Sequence, residues 1–282
     1  MHNSGIINLE PGMEYKRVGI VICCLALASA AFADDSVLGA NTPSKTGFQW
    51  HPIIGINLGA GMAQVGSESQ DFVSGSGQYN LSYENAAAFE MNGAYGAFVG
   101  IEFPLTAYNS WTLQTNLVYN AITPFNVKGV NTVAHVESQN EEEFDYYDYQ
   151  YSVQSQQLLA QIKLMMTVWG YFHPYISLAA GAAMNSTSGY QAQLAEPPAF
   201  PANNTPTFAN AQTMGLAYGG GFGVDFDVFK SLRLGLGYQF ISLGEAETGN
   251  AAIEGSTITT SGKITQSSLY EHEVLAQLTY IF

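Results

Sequence analysis

The chain has 282 residues, a net charge of −15 and only 11% charged residues. Soluble domains contain about 25% charged residues, so this composition excludes an ordinary solvated surface. The eight basic residues exclude a nucleic-acid-binding protein, because phosphate recognition requires Lys and Arg. A mean hydropathy of +0.04 is too low for a helical membrane protein. Together with 17 Tyr and 16 Phe, it favours strands that are apolar on one face only.

The N-terminal segment has the parts of a secretory signal peptide. Lys16 and Arg17 precede the apolar run "VGIVICCLALASAAFADD", and the small-residue sequence at 31–33 is typical of a cleavage site. We therefore predict cleavage before Asp34. The translation start is left open between the first Met and a second one at position 13.

The only two cysteines, Cys23 and Cys24, lie within the signal segment, so the mature chain is expected to have no disulfide. The predicted organisation is an N-terminal extension and signal peptide (1–33), a short periplasmic lead (34–51) and a barrel domain (52–282).

Eight segments of the barrel domain have the composition of β-strands. They are residues 52–64, 89–103, 111–122, 153–168, 174–185, 213–229, 232–243 and 267–282. The connections alternate between short ones ("PLTAYNS", "WGYFH" and "KS") and long ones, which cover 65–88, 123–152, 186–212 and 244–266. Such alternation is typical of outer-membrane barrels, with short periplasmic turns and long extracellular loops.

The two faces of the predicted strands differ consistently in composition. In the seventh segment, large apolar residues occupy one face and Arg233, Gly235, Gly237 and Gln239 the other. A soluble barrel would turn its apolar face inward and carry charge outside. Here the polar face consists mainly of small or uncharged residues, which suits a narrow lumen filled by side chains. The pattern favours a barrel with its apolar face toward lipid.

Aromatic residues concentrate near the short turns, as they do at membrane interfaces. The predicted interface residues are Trp111, Trp169, Tyr171, Tyr280 and Phe282.

The signal ending "AFADD", the eight strands and the end "LAQLTYIF" resemble the small outer-membrane β-barrels, namely the OmpA-like transmembrane domain and the opacity proteins. The resemblance implies an all-β, eight-stranded antiparallel transmembrane β-barrel, an up-and-down meander in the outer membrane of a Gram-negative bacterium. It also implies that the terminal aromatic residue is read by the barrel-assembly machinery. The other expected partners are outer-membrane lipid and lipopolysaccharide, and the chain is expected to be a monomer.

The polar faces of the strands place six charged residues in the lumen, where unpaired charges are costly. They are Glu102, Lys163, Asp225, Asp227, Arg233 and Glu273. Two interpretations follow: a static salt-bridge plug, or a gate or selectivity filter. The plug is favoured because eight-stranded barrels are usually filled.

The second long connection contains "EEEFDYYDYQY" (141–151), with five carboxylates and four tyrosines. Asp145, Tyr146, Tyr147, Asp148 and Tyr149 are the predicted recognition surface for a host or environmental ligand, since Tyr gives large amphipathic contacts. A Ca²⁺ site and a solvated acidic loop are the alternatives, although the spacing lacks the pattern of a calcium loop.

An enzyme remains the weakest alternative. Neither His51 nor His135 lies within a predicted strand, His173 falls in a short turn, and His272 lies on the outward face, with Glu271 and Glu273 pointing the other way. The "GGGFG" at 219–223 lies within a strand and lacks the following helix of a phosphate loop. We predict no catalytic, cofactor or metal site.

The sequence thus predicts a structural or adhesin-like surface protein with a plugged lumen. A narrow channel for small solutes is the first alternative, and a lipid hydrolase or acyltransferase the second.

Overall fold

The computed structural model describes residues 50–73, 79–105, 110–135, 143–195, 206–253, 259–260 and 262–282. The predicted signal peptide and the lead up to residue 49 lie outside the described residues. The strands are β1 (His51–Val65), β2 (Glu68–Val73), β3 (Tyr79–Asn85), β4 (Ala88–Pro104), β5 (Trp111–Ile122), β6 (Phe125–His135), β7 (Glu143–Met166), β8 (Phe172–Leu194), β9 (Pro206–Phe208), β10 (Ala211–Phe229), β11 (Leu232–Glu247), β12 (Ala251–Ile253), β13 (Thr259–Thr260) and β14 (Thr265–Ile281). The described residues contain no helix that is long and apolar enough to cross a membrane.

Eight of these strands form a closed ring. The order is β1, β4, β5, β7, β8, β10, β11 and β14, and β1 pairs with both β4 and β14. All pairings in the ring are antiparallel. The predicted eight-stranded antiparallel barrel is therefore confirmed. Closure satisfies the hydrogen-bonding groups that would otherwise be exposed at a sheet edge.

The part of the ring nearest the short turns is apolar on the outside and polar inside. Large apolar side chains are exposed on the outer face of every ring strand, including Ile56, Tyr95, Leu117, Ile162, Leu178, Leu216, Leu236 and Val274. Leu178 is 72% exposed. Soluble proteins do not leave so continuous an apolar surface in water. This belt is the lipid-facing surface of a transmembrane β-barrel.

The long connections were predicted to be loops throughout, but parts of them form strands. β2, β3 and β6 lie within predicted loops, β7 begins at Glu143 rather than 153, and β8 continues to Leu194 rather than 185. β6 pairs with residues 143–153 of β7, and β3 joins β6 to β2. These strands form an ordered continuation of the barrel wall, which we call the extension. β9, β12 and β13 form a separate three-stranded sheet.

Side chains connect the outer edge of the extension to β14. The amide of Gln70 on β2 donates to the carbonyl oxygen of Thr265, and its oxygen accepts the Thr265 N–H at 2.9 Å. Glu68 accepts a hydrogen bond from the Ser267 N–H at 3.1 Å. A side-chain amide thus replaces a backbone pairing and covers an otherwise exposed strand edge.

Polarity reverses along β7, and the reversal marks one boundary of the membrane. On the inward face, the buried residues Tyr149, Tyr151 and Val153 are followed by the buried polar residues Ser155 and Gln157. On the outward face, the exposed residues Asp148 and Gln150 are followed by the exposed apolar residues Leu158 and Ile162. The apolar face of β7 therefore points inward on the extension side of the boundary and outward on the short-turn side.

We expect a charge on the outer face to lower the free energy of unfolding only on the short-turn side of this boundary. Leu178→Arg is expected to lower the free energy of unfolding by about 2–4 kcal/mol, because it places a cation against hydrocarbon. Gln191→Arg, at an exposed position of β8 in the extension, should change it by less than about 0.5 kcal/mol. Urea unfolding in lipid vesicles measures both, and equal effects would contradict the assigned boundary.

Candidate functional site

Charged side chains fill the lumen near the short turns. Arg233, the second residue of β11, donates from Nη1 to Glu102 Oε2 at 2.8 Å and from Nε to Asp227 Oδ1 at 2.7 Å. The two-residue turn after β10 places Asp227 directly opposite Arg233 in the hairpin register. Glu102 also accepts a 2.7 Å hydrogen bond from Gln114, its cross-strand partner on β5. Arg233 thus has two carboxylate partners, on β10 and β4.

Lys163 forms the second part of this arrangement. Its Nζ donates to Asp225 Oδ2 at 2.6 Å and to Gln277 Oε1 at 3.1 Å, and it lies 3.7 Å from the centre of the Tyr175 ring. Lys163 and Asp225 are both buried. The ammonium group therefore connects β7, β10 and β14 across the lumen.

Five of the six predicted lumen residues belong to these ion pairs, which we call the ionic plug: Glu102, Lys163, Asp225, Asp227 and Arg233. The sixth, Glu273, lies elsewhere in the lumen. His173 was missed, because the sequence interpretation put it in a turn. It is buried in β8, and its Nε2 lies 2.8 Å from Asp227 Oδ2. His173 is separated by two and four residues from Tyr175 and Ser177, which point inward, so the alternation of side chains could have revealed that His173 also points inward.

Above the polar lumen, the interior of the extension is filled with rings. Tyr83 contacts Phe72, Tyr149 and Phe208 at centroid distances of 5.6, 5.5 and 5.4 Å. Tyr151 stacks on Tyr149, and Tyr190 contacts both Tyr149 and Phe208. We call these residues the aromatic cap: Phe72, Tyr83, Tyr149, Tyr151, Tyr190 and Phe208. Burial raises the pKa of each of its four tyrosines above the usual value of about 10, so the cap remains uncharged.

The structure divides the predicted recognition surface between two faces of β7. Tyr146 and Asp148 are exposed, whereas Asp145, Tyr147 and Tyr149 are buried. The three buried residues therefore cannot form part of an exposed surface. The first two carboxylates of the acidic segment lie outside the described residues. Asp145 and Asp148 point to opposite faces and cannot bind one ion together.

His272 was the one histidine placed on an outward strand face. Its Nδ1 lies 2.7 Å from the Tyr238 hydroxyl, and its Nε2 lies 3.3 Å from Gln64 Oε1. Its partners are thus a phenol and an amide, neither of which activates an imidazole as a catalytic carboxylate would. His51 and His135 were predicted to lie outside the strands. In the structure His51 is the first residue of β1 and His135 is the last residue of β6.

The glycine-rich segment 219–223 lies within β10 and not in a phosphate loop. A Cβ atom at Gly221 would lie 2.6 Å from the carbonyl oxygen of Tyr238. The absence of a side chain therefore lets two neighbouring backbones approach.

The five predicted interface aromatics are all exposed near the short-turn end: Trp111, Trp169, Tyr171, Tyr280 and Phe282. The rings of Tyr280 and Phe282 contact each other edge to face at 4.9 Å. Exposed aromatic side chains are typical of the interface between a membrane and water.

The fold defines a small transmembrane β-barrel. Among solved structures, the chain is similar to neisserial surface protein A (TM-score 0.36, 10% identity, 81% of this chain and 97% of that one). It is also similar to the outer membrane protease OmpT from Escherichia coli (0.39, 10%, 85% and 100%) and to Ail, the attachment invasion locus protein of Yersinia pestis (0.34, 10%, 82% and 98%). At these identities each likeness concerns the fold alone. No protein-family model and no curated protein matches the chain.

Proposed function

We propose that this protein is a non-conducting outer-membrane barrel that presents its extension to external partners. In this proposal residues 1–33 are removed on export, the barrel sits as a monomer in lipid and lipopolysaccharide, and the long-connection end faces outside. The main support for this proposal is that side chains close the interior of the barrel at two levels. The ionic plug crosses the lumen near the short turns, and the aromatic cap fills the extension.

The exposed face of the extension supports a role in recognition. Tyr146, Asp148, Gln150 and Gln191 lie on the outer surface of two paired strands, where backbone hydrogen bonds hold them in place. A rigid surface loses little conformational entropy on binding, which favours affinity. The exposed residues, and not the buried tyrosines, are therefore the proposed contacts.

Conductance tests the closed lumen. Residues 34–282, refolded into planar bilayers, are expected to give no steady current, because ion pairs cross the lumen near the short turns. A porin in the same lipids serves as the positive control. A large, steady current through the wild-type protein would favour the channel alternative instead.

Adhesion tests the recognition surface. Cells that display the Tyr146→Ala/Asp148→Ala variant should adhere to host-cell monolayers or abiotic surfaces several-fold less than cells that display the wild type. Ser186→Ala, on β8, is the matched control and should retain adhesion. Equal adhesion of the double variant and the wild type, at equal surface levels, would refute this assignment.

A further inference from the structure

Two carboxylates and an amide lie in the lumen between the ionic plug and the aromatic cap, on the two strands that flank β1. Gly61 on β1 is paired with Asn92 of β4 on one side and with Glu273 of β14 on the other. Directly paired residues point to the same face of a sheet, and Glu271, two residues before Glu273, shares that face. Both glutamates are 0% exposed.

Each of these side chains has an oxygen atom without a hydrogen-bond donor. Asn92 Nδ2 donates to Glu271 Oε2 at 3.0 Å, and Gln239 Nε2 donates to Glu273 Oε2 at 3.5 Å. The remaining oxygens, Oε1 of both glutamates and Oδ1 of Asn92, are buried and have no hydrogen-bond partner.

Two of these oxygens are directed at the same point. A Cβ atom built on Gly61 would collide with Glu271 Oε1 and would lie 2.6 Å from Asn92 Oδ1. The space over Gly61 is therefore lined by acceptors from two different strands. Acceptors without donors are unfavourable in a buried position unless a proton donor or a cation lies between them.

Basic side chains do not provide the missing positive charge. Lys163 and Arg233 are bound to the carboxylates of the ionic plug. Lys128 is exposed and pairs with Glu90. In the part of the chain that the structure describes, neither Glu271 nor Glu273 forms an ion pair with a lysine or arginine.

We propose that Glu271, Glu273 and Asn92 bind a hard divalent cation, with Ca²⁺ the best match. Hard cations take carboxylate and amide oxygens, and Ca²⁺ accepts irregular arrangements completed by water, whereas Mg²⁺ requires nearly ideal octahedral geometry. The ion would neutralise two buried carboxylates and cross-link β4 to β14 through the space over Gly61. This site is separate from the proposed recognition surface.

Refolding with and without calcium tests the proposal. The protein, refolded in detergent with EDTA or with CaCl₂, is assayed for bound calcium by mass spectrometry and for the temperature at which its SDS-resistant band disappears. We expect about one calcium ion per chain and a midpoint raised by about 5 °C or more at saturation. The Glu271→Gln/Glu273→Gln variant should lose both effects. Glu247→Gln, which removes a carboxylate from a surface ion pair with Lys263, should retain them.

A second variant makes the opposite prediction. Asn92→Asp adds a third carboxylate and should lower the calcium concentration at half-saturation about tenfold, since ligand charge tunes calcium affinity. If the double variant does not fold, the wild type and Asn92→Asp still decide the question. No bound calcium in the wild type, with equal midpoints in EDTA and CaCl₂, would overturn the proposal and leave the carboxyls protonated or hydrated.

Discussion

Replacing Arg233 by alanine is expected to lower the free energy of unfolding by about 3–5 kcal/mol, because it leaves two carboxylates in the lumen without their cation. Arg233 holds Glu102 at 2.8 Å and Asp227 at 2.7 Å, and its own side chain is 5% exposed. Urea unfolding in lipid vesicles measures the loss. The same variant should show a conductance that the wild type lacks, since the residue bridges two strands of the ionic plug.

Two further variants isolate the charge effect at Arg233. Lys230→Ala removes a positive charge from the adjacent turn, where the side chain is exposed, and should change the stability by less than about 0.5 kcal/mol. Glu102→Gln combined with Arg233→Met removes both charges of one pair. It should be less destabilising than Arg233→Ala, because it leaves no buried charge at position 102 without a partner. Arg233→Ala with wild-type stability and no current would contradict a plug of coupled charges.

Replacing Tyr83 by alanine should destabilise the extension by about 3–5 kcal/mol, the usual cost of removing a large buried ring. Tyr83 is 2% exposed and contacts three rings of the aromatic cap from three different strands. None of these contacts lies in the membrane-embedded ring, because Phe72 and Phe208 belong to other strands and Tyr149 lies in the part of β7 that pairs with β6. Hydrogen exchange should therefore speed up in β2, β3 and β6 while β10 and β11 remain protected.

The control for Tyr83 is another tyrosine of the extension that lies outside the cap. Tyr146 is 45% exposed, so Tyr146→Ala should leave hydrogen exchange almost unchanged. Limited proteolysis provides a second measurement, with cleavage expected in the extension of the Tyr83→Ala variant only. Uniformly faster exchange over the whole barrel would mean that the cap and the membrane region unfold as one unit.

The ionic plug illustrates how far local sequence patterns reach. The alternation of side chains places Asp225, Asp227 and Arg233 on the inward face, because successive residues of a strand point to opposite sides. The short turn after β10 then brings Asp227 opposite Arg233 without information from elsewhere in the chain. In contrast, Arg233 and Glu102 are 131 residues apart, and their contact requires closure of the ring.

The alternation alone also could not assign Tyr147 and Tyr149. The same two-residue period continues along β7 from the extension into the membrane, while the apolar face changes from inside to outside. A two-residue period shows which residues share a face of the strand. Whether water or lipid surrounds the strand decides which face is apolar. Treating the whole of 123–152 as a loop therefore placed these buried tyrosines on a surface.

Local residue patterns predicted the eight strands of the ring, the short turns, the lipid-facing belt and most of the lumen charges, because all of these depend on side chains a few residues apart. The aromatic cap and the contact of Glu271 with Asn92, which are 179 residues apart, could be seen only in the folded barrel. Both features depend on strand register and ring closure. Register and closure follow from the packing of the whole barrel, and no short stretch of sequence contains them.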